Sequence, residues 1–244
     1  MGARSYSDLK TLDVFIDQES IAIPVHPIKS STSKTITIQD KTYFDQVAYL
    51  KSSTFISDNP EDLDAMYQTG KELRRSAHVI WDLSNNMGGN AEFAKRFITG
   101  LSDCCSDSNQ TYQLESTLVH AKETGQIQEI PYGFKEIKEY ENHAKPNVFS
   151  GHLHIIVNDS VASSGELAIK MTSCIENRTV YGCNTLGIGR FGDLLIYYLP
   201  YSKATVWCHH KIYDSGIEEG QGLEPDIWLD TVNPLSHVLD IINT

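Results

Sequence analysis

The pattern of apolar and polar positions predicts that strands and helices alternate over most of this 244-residue chain. Short apolar runs typical of buried parallel strands occur at Val47–Leu50, Val79–Trp81, Leu153–Asn158 and Thr179–Tyr181. Longer segments of helical character follow the first three runs, at residues 60–75, 91–101 and 167–175. Because strand–helix–strand order favours crossover connections, the pattern predicts an α/β fold with a mainly parallel sheet.

The segments outside this alternation predict the domain organisation. Residues 1–45 carry short β-like runs at Ile21–Ile23 and Thr35–Ile38, with a polar tract between them, which predicts an N-terminal β-hairpin layer. A core is expected over residues 46–232 and a terminal helix within residues 233–244. Inside the core, residues 102–150 are polar and predict a variable insertion with a helix near residues 112–123. Leu194–Leu199 and Thr205–Lys211 predict a β-hairpin.

Composition and charge argue against several classes of protein. The formal net charge is −12, whereas a nucleic-acid-binding protein is expected to carry a basic patch. No apolar run reaches the roughly 18 residues of a membrane span, and Met1–Gln18 lacks the apolar core of a signal peptide. The five cysteines include no Cys-x-x-Cys pair, so we expect free thiols and no structural zinc site. Cofactors and metals are not predicted.

The candidate chemistry lies after the apolar run Leu153–Asn158, in a turn of small residues that leads into a helix. This turn contains Ser163, followed by Ser164, Gly165 and Glu166. A strand, a tight turn and a helix start expose a side chain where the helix N-terminus favours developing negative charge. Ser163-x-x-Glu166 is also the pattern of a capping box, so an ordinary helix start is the alternative.

Four motifs in order resemble those of the C-terminal processing (tail-specific) serine peptidases, whose superfamily includes tricorn core protease and the interphotoreceptor retinoid-binding modules. The resemblance covers roughly residues 45–230. The motifs are an opening strand at Val47–Lys51, the Asp-Leu-Ser-Asn-Asn-Met-Gly-Gly stretch at Asp82–Gly89, the Ser163 turn, and closing motifs at Gly182–Gly189 and Glu219–Asp226.

The resemblance implies a crotonase-like crossover core and a nucleophile at Ser163, three residues before Glu166. Serine peptidases also need N–H donors for the oxyanion, and the resemblance implies that these are Ser164 and one of Gly88 and Gly89. The glycines are expected to lie beside the N-terminus of the Ser163 helix, because both motifs must converge on one carbonyl.

The general base is where the chain departs from the family pattern. Tail-specific peptidases place a catalytic lysine 25 residues after the nucleophile, and that position here is Ile188. In the tricorn branch a histidine of the opening strand acts as the general base, and a glutamate of the closing motif supports the site. The matching positions are Lys51 and Glu219, so both are expected to project toward Ser163. A relocated lysine (Lys170, Lys203 or Lys211) and one of His209 and His210 remain alternatives.

The expected function is hydrolysis of peptide bonds by a serine endopeptidase, through an acyl-enzyme on Ser163 and with a polypeptide as substrate. The first alternative is a catalytically degenerate relative that binds a peptide or a small ligand, because Ile188 replaces the dyad lysine. A crotonase-type acyl-CoA enzyme is a third possibility that rests on fold analogy alone. The family resemblance favours an extracytoplasmic location. The oligomeric state is left open.

Overall fold

A computed structural model describes residues 39–44, 46–105, 111–137 and 145–244, and the backbone of residues 11–16 and 19–24. The chain divides into two compact units, residues 1–36 and 37–244. In the first unit, β1 (Thr11–Ile16) and β2 (Glu19–Pro24) pair antiparallel. Strand β2 contains the predicted run Ile21–Ile23, but its partner is Thr11–Ile16, which the sequence did not predict. The predicted run Thr35–Ile38 lies outside the described residues.

The second unit is built on a six-stranded sheet in the order β12-β9-β8-β5-β4-β3. Its strands are β3 (Asp40–Phe44), β4 (Val47–Lys51), β5 (His78–Asp82), β8 (His152–Val157), β9 (Arg178–Gly182) and β12 (Ile227–Trp228). All neighbouring pairs are parallel except β3 with β4. The mainly parallel α/β sheet predicted from the sequence is confirmed. Because β3 pairs with β4, the sheet begins before residue 46, the start predicted for the core.

Helices cover both faces of this sheet, as parallel strands require. Helices α1 (Glu61–Leu73), α2 (Glu92–Ser102) and α4 (Ser164–Met171) supply apolar side chains to the larger core on one face. Helix α5 (Pro234–Ile242) packs on the other face through Val238. Alternation along β5 separates the two cores, since Trp81 is buried on the first face and Ile80 on the second.

A separate four-stranded antiparallel sheet, in the order β10-β11-β6-β7, carries the predicted hairpin. Its strands are β6 (Thr111–Glu115), β7 (Gly133–Ile137), β10 (Phe191–Tyr198) and β11 (Thr205–Tyr213). Helix α3 (Thr117–Thr124) follows β6, so the single helix predicted near residues 112–123 was wrong in its first half. Residues 111–115 form a strand because β6 pairs with β11, nearly 100 residues away in sequence, and local pattern does not reveal such pairing.

The expectation that the cysteines are free was also wrong in part. Cys104, just after α2, forms a disulfide with Cys174. Cys174 lies in a short 3₁₀ helix, Thr172–Cys174, that follows α4. The two residues are 70 positions apart in sequence, and only the packing of α2 beside α4 brings them together. Cys183 and Cys208 are free, and Cys105 is buried. Among the described residues, no helix is long and apolar enough to cross a membrane.

Candidate active site

Ser163 occupies the turn between β8 and α4, in a backbone conformation that L-residues rarely adopt. It is the N-cap of α4, with φ 52° and ψ −121°, and its side chain is half-buried. A non-glycine residue held at positive φ costs about 1–3 kcal/mol and is typical of functional sites. A sharp strand-to-helix turn of this kind exposes the nucleophilic serine of α/β-hydrolases. The local geometry therefore presents the Ser163 side chain to the space above α4.

The strained turn is held by the carboxylate of Glu166, which is completely buried. One carboxylate oxygen accepts the N–H of Ser163 at 3.0 Å and the N–H of Ile188 at 2.9 Å. The other accepts the Thr185 hydroxyl at 2.6 Å and the N–H of Gly187 at 2.8 Å. Glu166 thus ties the turn of Ser163 to residues 185–188, which lie far away in sequence.

The Gly88–Gly89 stretch lies directly against this turn. A Cβ placed on Gly88 would come within 2.9 Å of both the Ser163 Cβ and the Ser164 amide nitrogen. The Ser164 hydroxyl donates to the carbonyl of Gly89 at 2.6 Å. The N–H of Gly88 already donates to the side chain of Asn86 at 2.8 Å, so Gly89 and Ser164 are the better candidates for oxyanion donors. The two motifs therefore meet at the start of α4.

Ser163 opens into a cleft of about 510 Å³ between the main sheet's helices and the base of the β10–β11 hairpin. Much of its lining is apolar or aromatic, from Phe55, Ile56, Leu167, Met171, Phe191 and Tyr213. Asp193 is the charged residue in the lining, and its backbone has a φ of 51°. Its carboxylate forms an ion pair with the Lys211 ammonium, with an N–O distance of 2.6 Å. The cleft can hold an apolar side chain next to a serine hydroxyl.

The sequence profile described as Peptidase family S41 matches residues 46–229, most of the chain. The chain belongs to peptidase family S41. This confirms the resemblance to C-terminal processing peptidases that the four motifs indicated, and it makes the chain a member of a peptidase family. No curated protein sequence matches the chain.

Solved structures show the same fold. Mature CPAF is 15% identical with a TM-score of 0.59, over 80% of this chain and 50% of that one. A putative S41 protease from Bacteroides fragilis is 12% identical with a TM-score of 0.54, over 96% of this chain and 65% of that one. A lipoprotein from Streptococcus agalactiae is 17% identical with a TM-score of 0.53, over 84% and 69%. The chain spans about half the length of mature CPAF.

The structure does not bring Lys51 to Ser163. Its ammonium donates to the carboxylate of Asp82 at 2.8 Å, in a second cleft of about 360 Å³ that is bordered by the start of α5. Tyr49 donates to the same carboxylate oxygen at 2.7 Å. Burial, followed by the charge of Asp82, raises the pKa of the Tyr49 phenol. Lys51 and Tyr49 alternate with Leu50, which faces the core under α4, so Lys51 lies on the other sheet face.

Among the described residues, no hydrogen bond joins Glu219 or Ile188 to the Ser163 hydroxyl. Glu219 is exposed in the turn after β11, where the neighbouring Gly220 N–H donates to the carbonyl of Gly187 at 2.7 Å. Ile188 is 39% exposed and is held by its N–H on Glu166. The contacts of Lys51 and Glu219 therefore give no support to the base and supporting roles predicted for them.

The alternative bases occupy different places. His209 is exposed, whereas His210 is buried on the opposite face of β11, with Nδ1 donating to the carbonyl of Asp193 at 2.5 Å. Lys170 lies over Gly216, and Lys203 is exposed in the hairpin turn. Lys211, through Asp193, is the lysine that these contacts bring to the edge of the Ser163 cleft.

Two features of the site were missed in the sequence. The capping-box pattern accounts for the spacing of Glu166 from Ser163, but it does not predict that Glu166 also binds residues 185, 187 and 188. Asp193 and Lys211 had no local signal, because their partnership depends on the register of β10 with β11. Within the described parts of the chain, no three His, Cys, Asp or Glu side chains are grouped so as to hold a metal ion.

Proposed function

We propose that this S41 protein hydrolyses peptide bonds through an acyl-enzyme on Ser163. The observation that carries the proposal is the conformation of Ser163, which is held at positive φ at the start of α4, beside Gly88 and open to a cleft lined in part by apolar side chains. The Ser163 oxygen would attack the substrate carbonyl while a base takes its proton. The base would then give that proton to the amide nitrogen as the C–N bond breaks, which leaves an ester on Ser163 and releases the amine. Water would then release the acyl group and regenerate the hydroxyl.

The oxyanion of the tetrahedral intermediate would be bound by the N–H groups of Ser164 and Gly89. The Ser164 amide begins α4, so the positive end of the helix dipole adds to the stabilisation. Glu166 would act as a positioning residue, because it fixes the Ser163 backbone rather than the reacting hydroxyl. Lys51 and Glu219 are not retained in this mechanism, since Lys51 is paired with Asp82 on the other sheet face and Glu219 is exposed.

A fluorophosphonate probe followed by mass spectrometry of the modified peptide tests the nucleophile. We expect phosphonylation of Ser163 and hydrolysis of an unfolded polypeptide, both lost in Ser163→Ala. Ser160→Ala is the matched control, because Ser160 lies in the same turn and its hydroxyl contacts Asp159. Labelling at another residue, or unchanged hydrolysis by Ser163→Ala, would contradict the proposal.

A second candidate function is a binding module that has lost catalysis. Two observations favour it: the position of the dyad lysine is Ile188, and the Lys51 ammonium is engaged by Asp82. In that case the Ser163 cleft would still bind peptide, but the probe would not label Ser163. The experiment above therefore separates the two functions.

A further inference from the structure

One face of the β10–β11 hairpin exposes a row of apolar and aromatic side chains that the chemistry at Ser163 does not use. We call it the hairpin stripe, and it consists of Leu194, Ile196, Tyr198, Trp207 and His209. Trp207 is 62% exposed, Tyr198 71% and Leu194 44%. Contiguous exposed apolar surface of this kind marks a site of interaction with another molecule.

The register of the hairpin makes the stripe continuous. Leu194 lies opposite His209, and Ile196 lies opposite Trp207, so the side chains of each pair share one face of the sheet. The next pair on this face toward the main body is Gly192 with Lys211. The stripe therefore leads along β10 and β11 toward the base of the hairpin.

At its inner end the stripe meets the Ser163 cleft. Tyr213 is on the same face of β11 as Trp207, its ring covers Gly192, and both Tyr213 and Gly192 line the cleft with Ser163. Trp207 is six residues from Tyr213, which along a strand is about 20 Å. An extended polypeptide held in the cleft would need about six further residues to reach Trp207.

Contacts on the opposite face of the hairpin hold the two strands that carry the stripe. On that face, Tyr197 lies under the ammonium of Lys122 in α3, and the ring of His210 is 3.4 Å from the Glu123 carboxylate. Strand β11 also pairs with β6. The stripe is therefore a preformed surface, which lowers the entropic cost of binding.

The charges indicate what kind of segment the stripe would accept. The chain carries a net charge of −12, yet no carboxylate belongs to the stripe, and Asp193 at its inner end is neutralised by Lys211. A neutral segment with apolar side chains at alternate positions matches such a surface, because one face of an extended chain would meet Leu194, Ile196 and Trp207.

We propose that the hairpin stripe binds an extended apolar segment of the polypeptide substrate while a neighbouring part of the same chain occupies the Ser163 cleft. This inference rests on the proposed function, because the bound segment is a substrate only if the protein hydrolyses peptides. Continuity with the cleft favours a substrate segment over a second copy of this chain.

The test measures binding in the hydrolysis-deficient Ser163→Ala protein, so that it does not depend on turnover. The probe is a fluorescein-labelled peptide of about twelve residues, alternating Leu and Ser, long enough to span the cleft and the stripe. Trp207→Ala should weaken its binding about tenfold, the effect of a substantial aromatic contact. Trp228→Ala is the matched control, because Trp228 is also 62% exposed and lies in β12, away from the hairpin.

A peptide of about four residues, too short to reach Trp207, should bind equally well to both variants. The proposal is overturned if Trp207→Ala and Trp228→Ala bind the long peptide alike while circular dichroism shows both folded. It is also overturned if sedimentation shows that the protein dimerises and that Trp207→Ala abolishes the dimer. If peptide binding depends on Trp207 but the probe does not label Ser163 in the wild-type protein, the binding role of the hairpin stripe is supported. Only the proposed hydrolysis is then rejected.

Discussion

The Glu166 carboxylate accepts the backbone N–H of Ser163 at 3.0 Å, while its other contacts hold residues 185, 187 and 188. A single buried side chain therefore couples the turn that presents Ser163 to the loop that, in the tail-specific peptidases, carries the catalytic lysine. Ile188 stands at the position where the resemblance implies that lysine, so the loop is attached to the Ser163 turn but offers no side-chain proton acceptor at residue 188.

Replacing Glu166 with Gln should strongly destabilise the protein. All four contacts of the carboxylate come from donors, and the amide group of Gln would direct its own N–H bonds toward some of them. We expect a loss of about 2–4 kcal/mol in the free energy of unfolding, measured by urea denaturation. Glu224→Gln, at an exposed carboxylate, should change stability by less than about 0.5 kcal/mol. Similar values for both variants would show that the network contributes little.

The strain at Ser163 predicts that glycine is more stable there than alanine. Both variants remove the hydroxyl, but only alanine keeps a Cβ on a backbone with φ 52°. Ser163→Gly should unfold at a higher temperature than Ser163→Ala, by about 1 kcal/mol or more in free energy. Equal melting temperatures would mean that the turn relaxes in solution. Neither variant should hydrolyse peptides.

Gly88→Ala should be far more damaging than Gly220→Ala. Both glycines have positive φ, at 98° and 80°, so alanine is strained at either position. Only at Gly88 would the new Cβ also meet Ser163 and the Ser164 amide at 2.9 Å, whereas nothing lies within 4 Å of a Cβ on Gly220. We expect Gly88→Ala to cost about 2 kcal/mol more than Gly220→Ala in chemical denaturation and to reduce probe labelling of Ser163. A smaller cost for Gly88→Ala would argue against close packing of the two motifs.

Three histidines on the second face of the main sheet should make the protein sensitive to acid. His154 is buried between His78 and His152, with its ring nitrogens near His78 at 3.1 Å and near the Tyr181 hydroxyl at 3.2 Å. Burial, then the charges that His152 and His78 can carry, lower the pKa of His154 from its usual 6.5 to about 3. The unfolded chain therefore binds a proton at His154 below about pH 6.5 that the folded chain does not bind until about pH 3.

Stability from His154 is thus complete above about pH 6.5 and falls as the pH drops toward 3, by about 1.4 kcal/mol per pH unit within that window. Urea denaturation of the wild type and of His154→Gln between pH 7 and pH 4.5 measures this slope as a difference. His237→Gln, at an exposed histidine of α5, is the control and should follow the wild type. Parallel curves for the wild type and His154→Gln would reject the assignment.

The sequence by itself determined the parallel α/β core and the turn at Ser163. Both depend on local signals: apolar runs of strand length, a small-residue turn and a helix start all lie within a few residues of one another. The order of four short motifs also identified the family, because each motif stays recognisable without its neighbours in space.

Only the tertiary structure decided which side chains meet Ser163. Lys51 stands at the position that the tricorn branch gives to its base, but strand alternation and the carboxylate of Asp82 hold it on the other face of the sheet. The Cys104–Cys174 disulfide, the strand at Thr111–Glu115 and the Asp193–Lys211 pair each join segments that are distant in sequence or set by register. Such contacts follow from how elements pack, and local sequence pattern carries no record of that packing.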